Sequence, residues 1–438
     1  MNYAFTKTTL RVTLTELLYL AFFTGLSFAF RAVTSISIGL MIGAGILLYR
    51  RQTGLLFKSN PAKWFIISCT LFFILQSITL FYTTDLPTGM NDVRLKSGLL
   101  FTPLAALFLP AGTRQETAKM YSGYCYLLFF ASLYLLFAAT SAYMRHPDPS
   151  LFFYHALVSP IRFHAVYYSV LVFLALLFIS ENYVRRNYLV NKAFHLLLLL
   201  FFSGFLLLLS SKLVISLYAV YCLFLLLSAK DLLHRSKLLI NTLLLLFLFS
   251  MAFTLLTNNP VSARFRDFVH GNISVVNQEK FSPSFYFNGL QFRLLEWKLV
   301  PRILTEKKRW WTGLSTGDAQ AVLDQKYLAM NMYRGEKGKP GGGYLGYNAH
   351  NQLLQSLLEN GIPGLLGFVF ICTTLVSLAW KIRKRMMSFF IALLICYLFA
   401  ESLFEEQYGI VIFCFWPVFL VRYCQENSGP STPDNYIV

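Results

Sequence analysis

The stretch from Phe194 to Ser228 is almost unbroken apolar sequence, interrupted only at Ser210-Ser211-Lys212. A straight helix of that length would reach roughly 50 Å at about 1.5 Å per residue, far beyond a hydrocarbon core of about 30 Å. The run therefore predicts a membrane hairpin of two helices, with its turn at the one polar point available. Similar apolar segments recur along the chain, at 14–30, 33–49, 64–82, 97–112, 119–140, 164–181, 194–210, 212–229, 237–257, 361–380, 388–402 and 407–422. Only 13% of residues are charged and the mean hydropathy is +0.55, which excludes an ordinary soluble domain. The expected fold class is an all-α polytopic membrane protein. It has about twelve transmembrane helices and one large helical loop on the outer side, between helices nine and ten. The first apolar segment lacks a small-residue cleavage site and runs at once into a second, so it reads as a retained anchor.

Lysine and arginine placement orients these helices. Clusters such as Arg50-Arg51, Arg185-Arg186 and Arg383-Lys384-Arg385 fall on one side, while the short loops opposite carry few positive residues. By the positive-inside rule both termini are cytoplasmic and residues 258–360 lie outside. The chain then divides into helices one to nine (1–257), the outer loop subdomain (258–360), helices ten to twelve (361–422) and a cytoplasmic tail (423–438), whose polar part from Gln425 to Val438 is expected to be disordered. Much of the formal charge of +18 is thus topological and argues against a nucleic-acid partner. No cysteine falls in an outer loop, so neither a disulfide framework nor a zinc-ligand cluster is expected there.

The outer loop carries thirteen Lys or Arg against eight Asp or Glu, an excess that topology does not require. A basic surface there suits an anionic ligand, although a solvated face is the plainer reading. Within it, "NGLQFRLLEWKLV" sets Arg293 and Trp297 four apart on one helical face. "WWTGLSTGDAQ" brackets small polar residues with Gly313 and Gly317, so its backbone is free to approach a ligand closely. "NAHNQLLQSLLENGIPG" reads as a short helix with Asn348 as N-cap, His350 and Asn351 in its first turn and Glu359 near its end. Gly361 stops that helix and Pro363 starts the next.

These residues resemble a known family. "HNQLLQSLLENGIPG", Arg293 with Trp297 in "FRLLEW", and Gly313 with Gly317 are similar to motifs of the O-antigen ligase and polymerase-like superfamily, as is the twelve-helix layout. The resemblance implies a metal-independent glycosyltransferase of the bacterial inner membrane, with no cofactor and its active site on the periplasmic face. It would move a glycan from an undecaprenyl diphosphate donor to an acceptor hydroxyl. That acceptor is lipid A–core in ligases, a growing glycan in polymerases and a protein in some relatives. His350 is the implied catalytic residue, Lys212 and Arg293 hold the donor diphosphate, and Asn351, Trp297, Glu359, Gly313 and Gly317 support them. Where the family has Ser-Arg in the hairpin turn, this chain has Ser211-Lys212. Lysine keeps the charge but loses the bidentate fork. "RFHAVYY", with Arg162, His164 and Tyr168, resembles a weaker histidine element.

The chemistry agrees with that implication. Glycosyl transfer from a diphosphate needs cations for the departing anion and a base near neutrality for the incoming hydroxyl. An ordinary histidine titrates near 6.5. Plainer roles stay open: a surface position for His350, a hairpin anchor for Lys212, a partner at Glu296 or Glu279 for Arg293. Glu401, Glu405 and Glu406 read as a solvated outer turn. A polysaccharide transporter or flippase is the alternative of another class, disfavoured by the absence of internal repeats, the scarcity of mid-helix charges and the one large outer subdomain carrying most of the polar motifs.

Overall fold

The computed structural model describes residues 2–49, 60–108, 114–184, 190–227, 237–257, 261–263, 266, 272–335 and 343–425. The polar tail from 426 onward lies outside them. So do several basic positions behind the orientation argument, among them Arg50, Arg51, Arg185 and Arg186, and much of the glycine-rich loop before His350. Regular structure among the described residues is helical, with no strand.

The first half contains α1 (Asn2–Ser27), α2 (Arg31–Tyr49), α3 (Lys63–Ile78), α4 (Leu86–Lys96), α5 (Gly98–Phe108), α6 (Arg114–Arg145), the short α7 (Tyr154–Val158) and α8 (Ala165–Val184). Then follow α9 (Lys192–Leu208), α10 (Lys212–Leu227) and α11 (Lys237–Leu256). The expected hairpin is present. It breaks between α9 and α10, where Ser210 takes a left-handed φ of 52°. Among the described residues five helical stretches are long and apolar enough to cross a membrane: Lys63–Phe81, Glu116–Arg145, Ala165–Tyr183, Gln352–Ile382 and Gln407–Cys424. Other apolar helices, including α2, α9, α10 and Arg385–Ala400, are shorter.

The bundle closes around α8, whose span is buried along its whole length, and α16 (Gln407–Gln425), which is nearly so. Aromatic rings fill the seam. Tyr121 stacks on Phe178 with centroids 3.9 Å apart, and Phe23 lies flat against Trp416 at 5.6 Å. Such offset contacts add to the area each ring buries.

The segment between α11 and Gly361 has its own hydrophobic core, in which Phe287, Phe292, Leu295, Leu323, Tyr327 and Tyr344 pack together. It contains α12 (Gly289–Lys307) and α13 (Ala319–Ala329), and leads into α14 (Gln352–Ile382), α15 (Arg385–Ala400) and α16. An Asn288–Gln291 capping box starts α12. The helix expected to begin at Asn348 begins instead after Asn351, which accepts from the backbone N–H groups of Leu353 and Leu354 at 3.0 and 3.2 Å. Asn348 serves one step earlier, accepting from the His350 N–H at 3.0 Å. Gly361 breaks the helical path of α14 with φ 62° and ψ −150°, so the short helix and the membrane helix meet at a kink. A left-handed φ is cheap only for glycine.

Candidate active site

Three segments meet at one end of the bundle. The first is the turn before α14, where the Asn348 side chain folds the backbone so that His350 sits at φ 44°, outside the helix rather than in its first turn. The second is α12, whose second turn carries Arg293. The third is the acidic turn between α15 and α16, beginning at Glu401.

Glu401 joins them. One of its carboxylate oxygens lies 2.9 Å from His350 Nδ1, and the other holds the Arg293 guanidinium. Arg293 also donates through Nε to the Ala400 carbonyl at 2.7 Å and through Nη1 to the Gly289 carbonyl at 2.8 Å. The backbone is stitched as well. The Asn351 N–H donates to Ser402 Oγ at 3.2 Å, and the Phe404 N–H donates to Gln352 Oε1 at 2.8 Å. Phe292 and Tyr347 pack against the His350 ring, with centroids 5.6 and 5.4 Å away.

Burial alone would push the Glu401 carboxyl up. The His350 hydrogen bond, together with the charges of Arg293 and His164, outweighs it and holds the group at about 2. The expectation of a solvated Glu401 is therefore corrected, because its side chain is only 15% exposed and lies between the Arg293 guanidinium and the His350 ring. Being ionised, it can only accept. The proton of a neutral His350 imidazole then sits on Nδ1, leaving the Nε2 lone pair as the basic position.

Lys212 opens α10 directly after Ser211. The Ser211 hydroxyl is 2.9 Å from the Tyr397 hydroxyl, and the Tyr397 carbonyl accepts from the Glu401 N–H at 2.8 Å. The hairpin turn is thus tied to the same acidic turn that holds His350 and Arg293. His164, at the start of α8, packs its ring 4.4 Å from that of His155. Trp297, one turn beyond Arg293, is half-exposed.

Behind this site sits a buried ion cluster. Lys96 is fully buried and donates to both Glu359 oxygens at 2.9 and 2.7 Å, and lies 2.9 Å from Glu405. Gln355 completes the shell with a 2.7 Å bond to Glu359. Glu359 therefore anchors the short helix to α4. Glu405, expected in water, is drawn inward by the same lysine. Burial and the Glu359 charge push its carboxyl up to about 8.

The two loop glycines allow close approach to the chain's own backbone. A Cβ on Gly313 would lie 2.3 Å from the Glu359 carbonyl oxygen, and one on Gly317 would lie 2.4 Å from Thr83 Oγ1. Beside them, the Leu314 and Ser315 N–H groups donate to the Leu358 and Glu359 carbonyls at 2.8 and 2.9 Å. Asp318 accepts from the Thr84 hydroxyl at 2.6 Å. The loop braces the His350 helix against the segment before α4. Among the described residues no group of three or more histidine, cysteine or acidic side chains is placed to hold a metal ion.

An apolar helical bundle with a histidine–carboxylate–arginine site under a polar subdomain defines a membrane protein with an enzyme-like centre at one end. Residues 196–369 match the family model of the O-antigen ligase, a segment running from α9 through Lys212, Arg293 and His350 into α14. The match supports the resemblance to the O-antigen ligase-like superfamily over that segment. No curated protein matches the chain.

Proposed function

We propose that this protein transfers a glycan from undecaprenyl diphosphate to an acceptor hydroxyl, lipid A–core in the first instance, on the periplasmic face of the bacterial inner membrane. The twelve-helix crossing pattern and cytoplasmic termini belong to the same proposal. The pairing of His350 Nδ1 with Glu401 carries it, because it leaves Nε2 as a base at the end of the bundle where the hairpin turn is tethered through Ser211, the residue before Lys212.

In this reaction His350 Nε2 takes the acceptor hydroxyl proton as that oxygen bonds to the anomeric carbon of the donor sugar. The bond from that carbon to the diphosphate oxygen breaks, and its electron pair leaves with the diphosphate. Lys212 and Arg293 offset the charge that builds there. Glu401 orients the imidazole and stabilises the imidazolium that forms.

The test is transfer by the purified full chain from a lipid-linked glycan donor, with lipid A–core, free glycan and a hydroxyl-bearing peptide offered separately. His350→Ala should abolish product while the protein still elutes as a folded species. Normal transfer by that variant would sink the catalytic assignment. Product with free glycan alone would move the reading from ligase to polymerase.

A further inference from the structure

A cavity of about 830 Å³ lies between α2, α4–α5 and the start of α16, within the range of about 300–1,000 Å³ usual for ligand sites. Its floor is hydrocarbon, supplied by Ile38, Ile42, Phe101 and Val411, and Phe101 is half-exposed, so the groove opens at the protein surface. Arg31 and Arg94 stand at its polar mouth. Arg31 lies 3.9 Å from Glu406 and near the Tyr408 ring. Arg94 is exposed, and its side chain has no hydrogen-bond or ion-pair partner among the described residues. The carboxylate in the lining, Asp92, receives the Thr316 hydroxyl at 3.5 Å and feels the Lys96 charge. One arginine is therefore left unneutralised above an apolar trough.

That combination fits a lipid with a phosphate headgroup: chains in the trough, phosphate on the guanidinium groups, whose forked donors match its oxygens. The groove also meets the site through one short turn. Glu401 holds His350, and four and five residues on, Glu405 holds Lys96 and Glu406 faces Arg31. Joining two membrane-anchored substrates requires two lipid seats. The donor diphosphate already has Lys212 and Arg293. Resting on the transferase reading above, we propose that this groove seats the acyl-chain anchor of a phosphate-bearing acceptor lipid, with Arg94 and Arg31 on its phosphate.

Two variants separate the groove from the site. Gly39 lines the groove, and a Cβ there would meet nothing within 4 Å, so Gly39→Trp fills the trough without a backbone clash. Arg94→Glu reverses the free charge. Native mass spectrometry of the full chain in detergent would measure binding of dioleoyl phosphatidic acid, undecaprenyl diphosphate and, as a zwitterionic control, dioleoyl phosphatidylcholine. Arg94→Glu should weaken phosphatidic acid binding by about tenfold, the scale expected for losing a charge-assisted phosphate contact. Gly39→Trp should weaken it by occupying the space for the chains, and both should leave undecaprenyl diphosphate binding unchanged. Phosphatidic acid binding unchanged in both variants, or matched by phosphatidylcholine, would mean ordinary boundary lipid and overturn the proposal. Loss of undecaprenyl diphosphate binding instead would give the groove to the donor and overturn it equally. Binding is read without turnover, so a wild-type protein that binds phosphatidic acid through Arg94 yet transfers no glycan would refute the transferase reading while leaving the lipid seat in place.

Discussion

The Glu401 carboxylate lies 2.9 Å from His350 Nδ1 and holds Arg293 on its other oxygen, so one side chain fixes both the base and a cation of the proposed reaction. Replacing it by glutamine keeps the shape but removes the charge that selects the Nδ1–H tautomer. Glu401→Gln should lower kcat by up to about 10⁴-fold, the loss seen when the carboxylate orienting a catalytic histidine becomes an amide, with the donor KM little changed. Glu401→Asp should recover part of the loss. Steady-state transfer kinetics would check this, and a wild-type kcat in Glu401→Gln would remove Glu401 from the mechanism.

Lys96 carries a different burden. It is buried between Glu359, Glu405 and the Thr316 hydroxyl, so its removal leaves carboxylates stranded away from water. Breaking a buried pair from one side costs about 3–5 kcal/mol. Lys96→Met should lower the unfolding temperature sharply, and adding Glu359→Gln should restore part of it. Thermal unfolding of the single and double variants in detergent measures both. Full stability in Lys96→Met would show that the cluster holds nothing together.

The Gly361 kink depends on a close backbone crossing. A Cβ at this position would lie 2.4 Å from the Trp310 carbonyl oxygen and 2.8 Å from the Gly313 nitrogen, and φ is 62°. Gly361→Ala therefore meets both a left-handed backbone and a clash with main chain that cannot rotate away. A loss of at least about 2 kcal/mol is expected. Limited proteolysis of the segment between α11 and the kink in α14 should show it as faster cleavage, whereas Gly39→Ala, with open space around its Cβ, should cleave at the wild-type rate.

The helices and the hairpin were legible because apolar runs of fixed length admit few other solutions in a bilayer. Gly361 was legible for a related reason: Gly-x-Pro after a short amphipathic run stops one helix and starts another. His350 and Arg293 were singled out, but their common partner was not. Glu401, Glu405 and Glu406 sit in a short polar turn between apolar segments, and sequence alone makes such a turn look solvated. What draws two of them inward is Lys96, some three hundred residues earlier, together with Arg293 and His350 from the other side. Pairings that distant leave no periodicity to read. The signal available was chemical: glutamates packed against a predicted membrane helix need cations, and the chain had a nearby surplus. Asn348 was misjudged by three residues because two asparagines flank His350 and either suits a cap; the structure uses one for the turn and the other for the helix.

Glu296 offers a test of stability against pH that is separate from the reaction. It lies in α12, fully buried, with neither oxygen hydrogen-bonded among the described residues, while the nearby Tyr327 hydroxyl donates to the Tyr347 carbonyl. Burial pushes its carboxyl up from 4.5 to about 8. The unfolded chain gives up this proton near 4.5 and the folded chain only near 8, so between those values the folded state binds one proton more. Its contribution to stability therefore falls as pH rises through that window, at about 1.4 kcal/mol per pH unit at most. Glu296→Gln keeps the neutral shape and removes the slope. The variant should match wild type near pH 4.5 and unfold at a progressively higher temperature than wild type toward pH 8. Parallel curves across that range would show that Glu296 is already ionised in the folded protein.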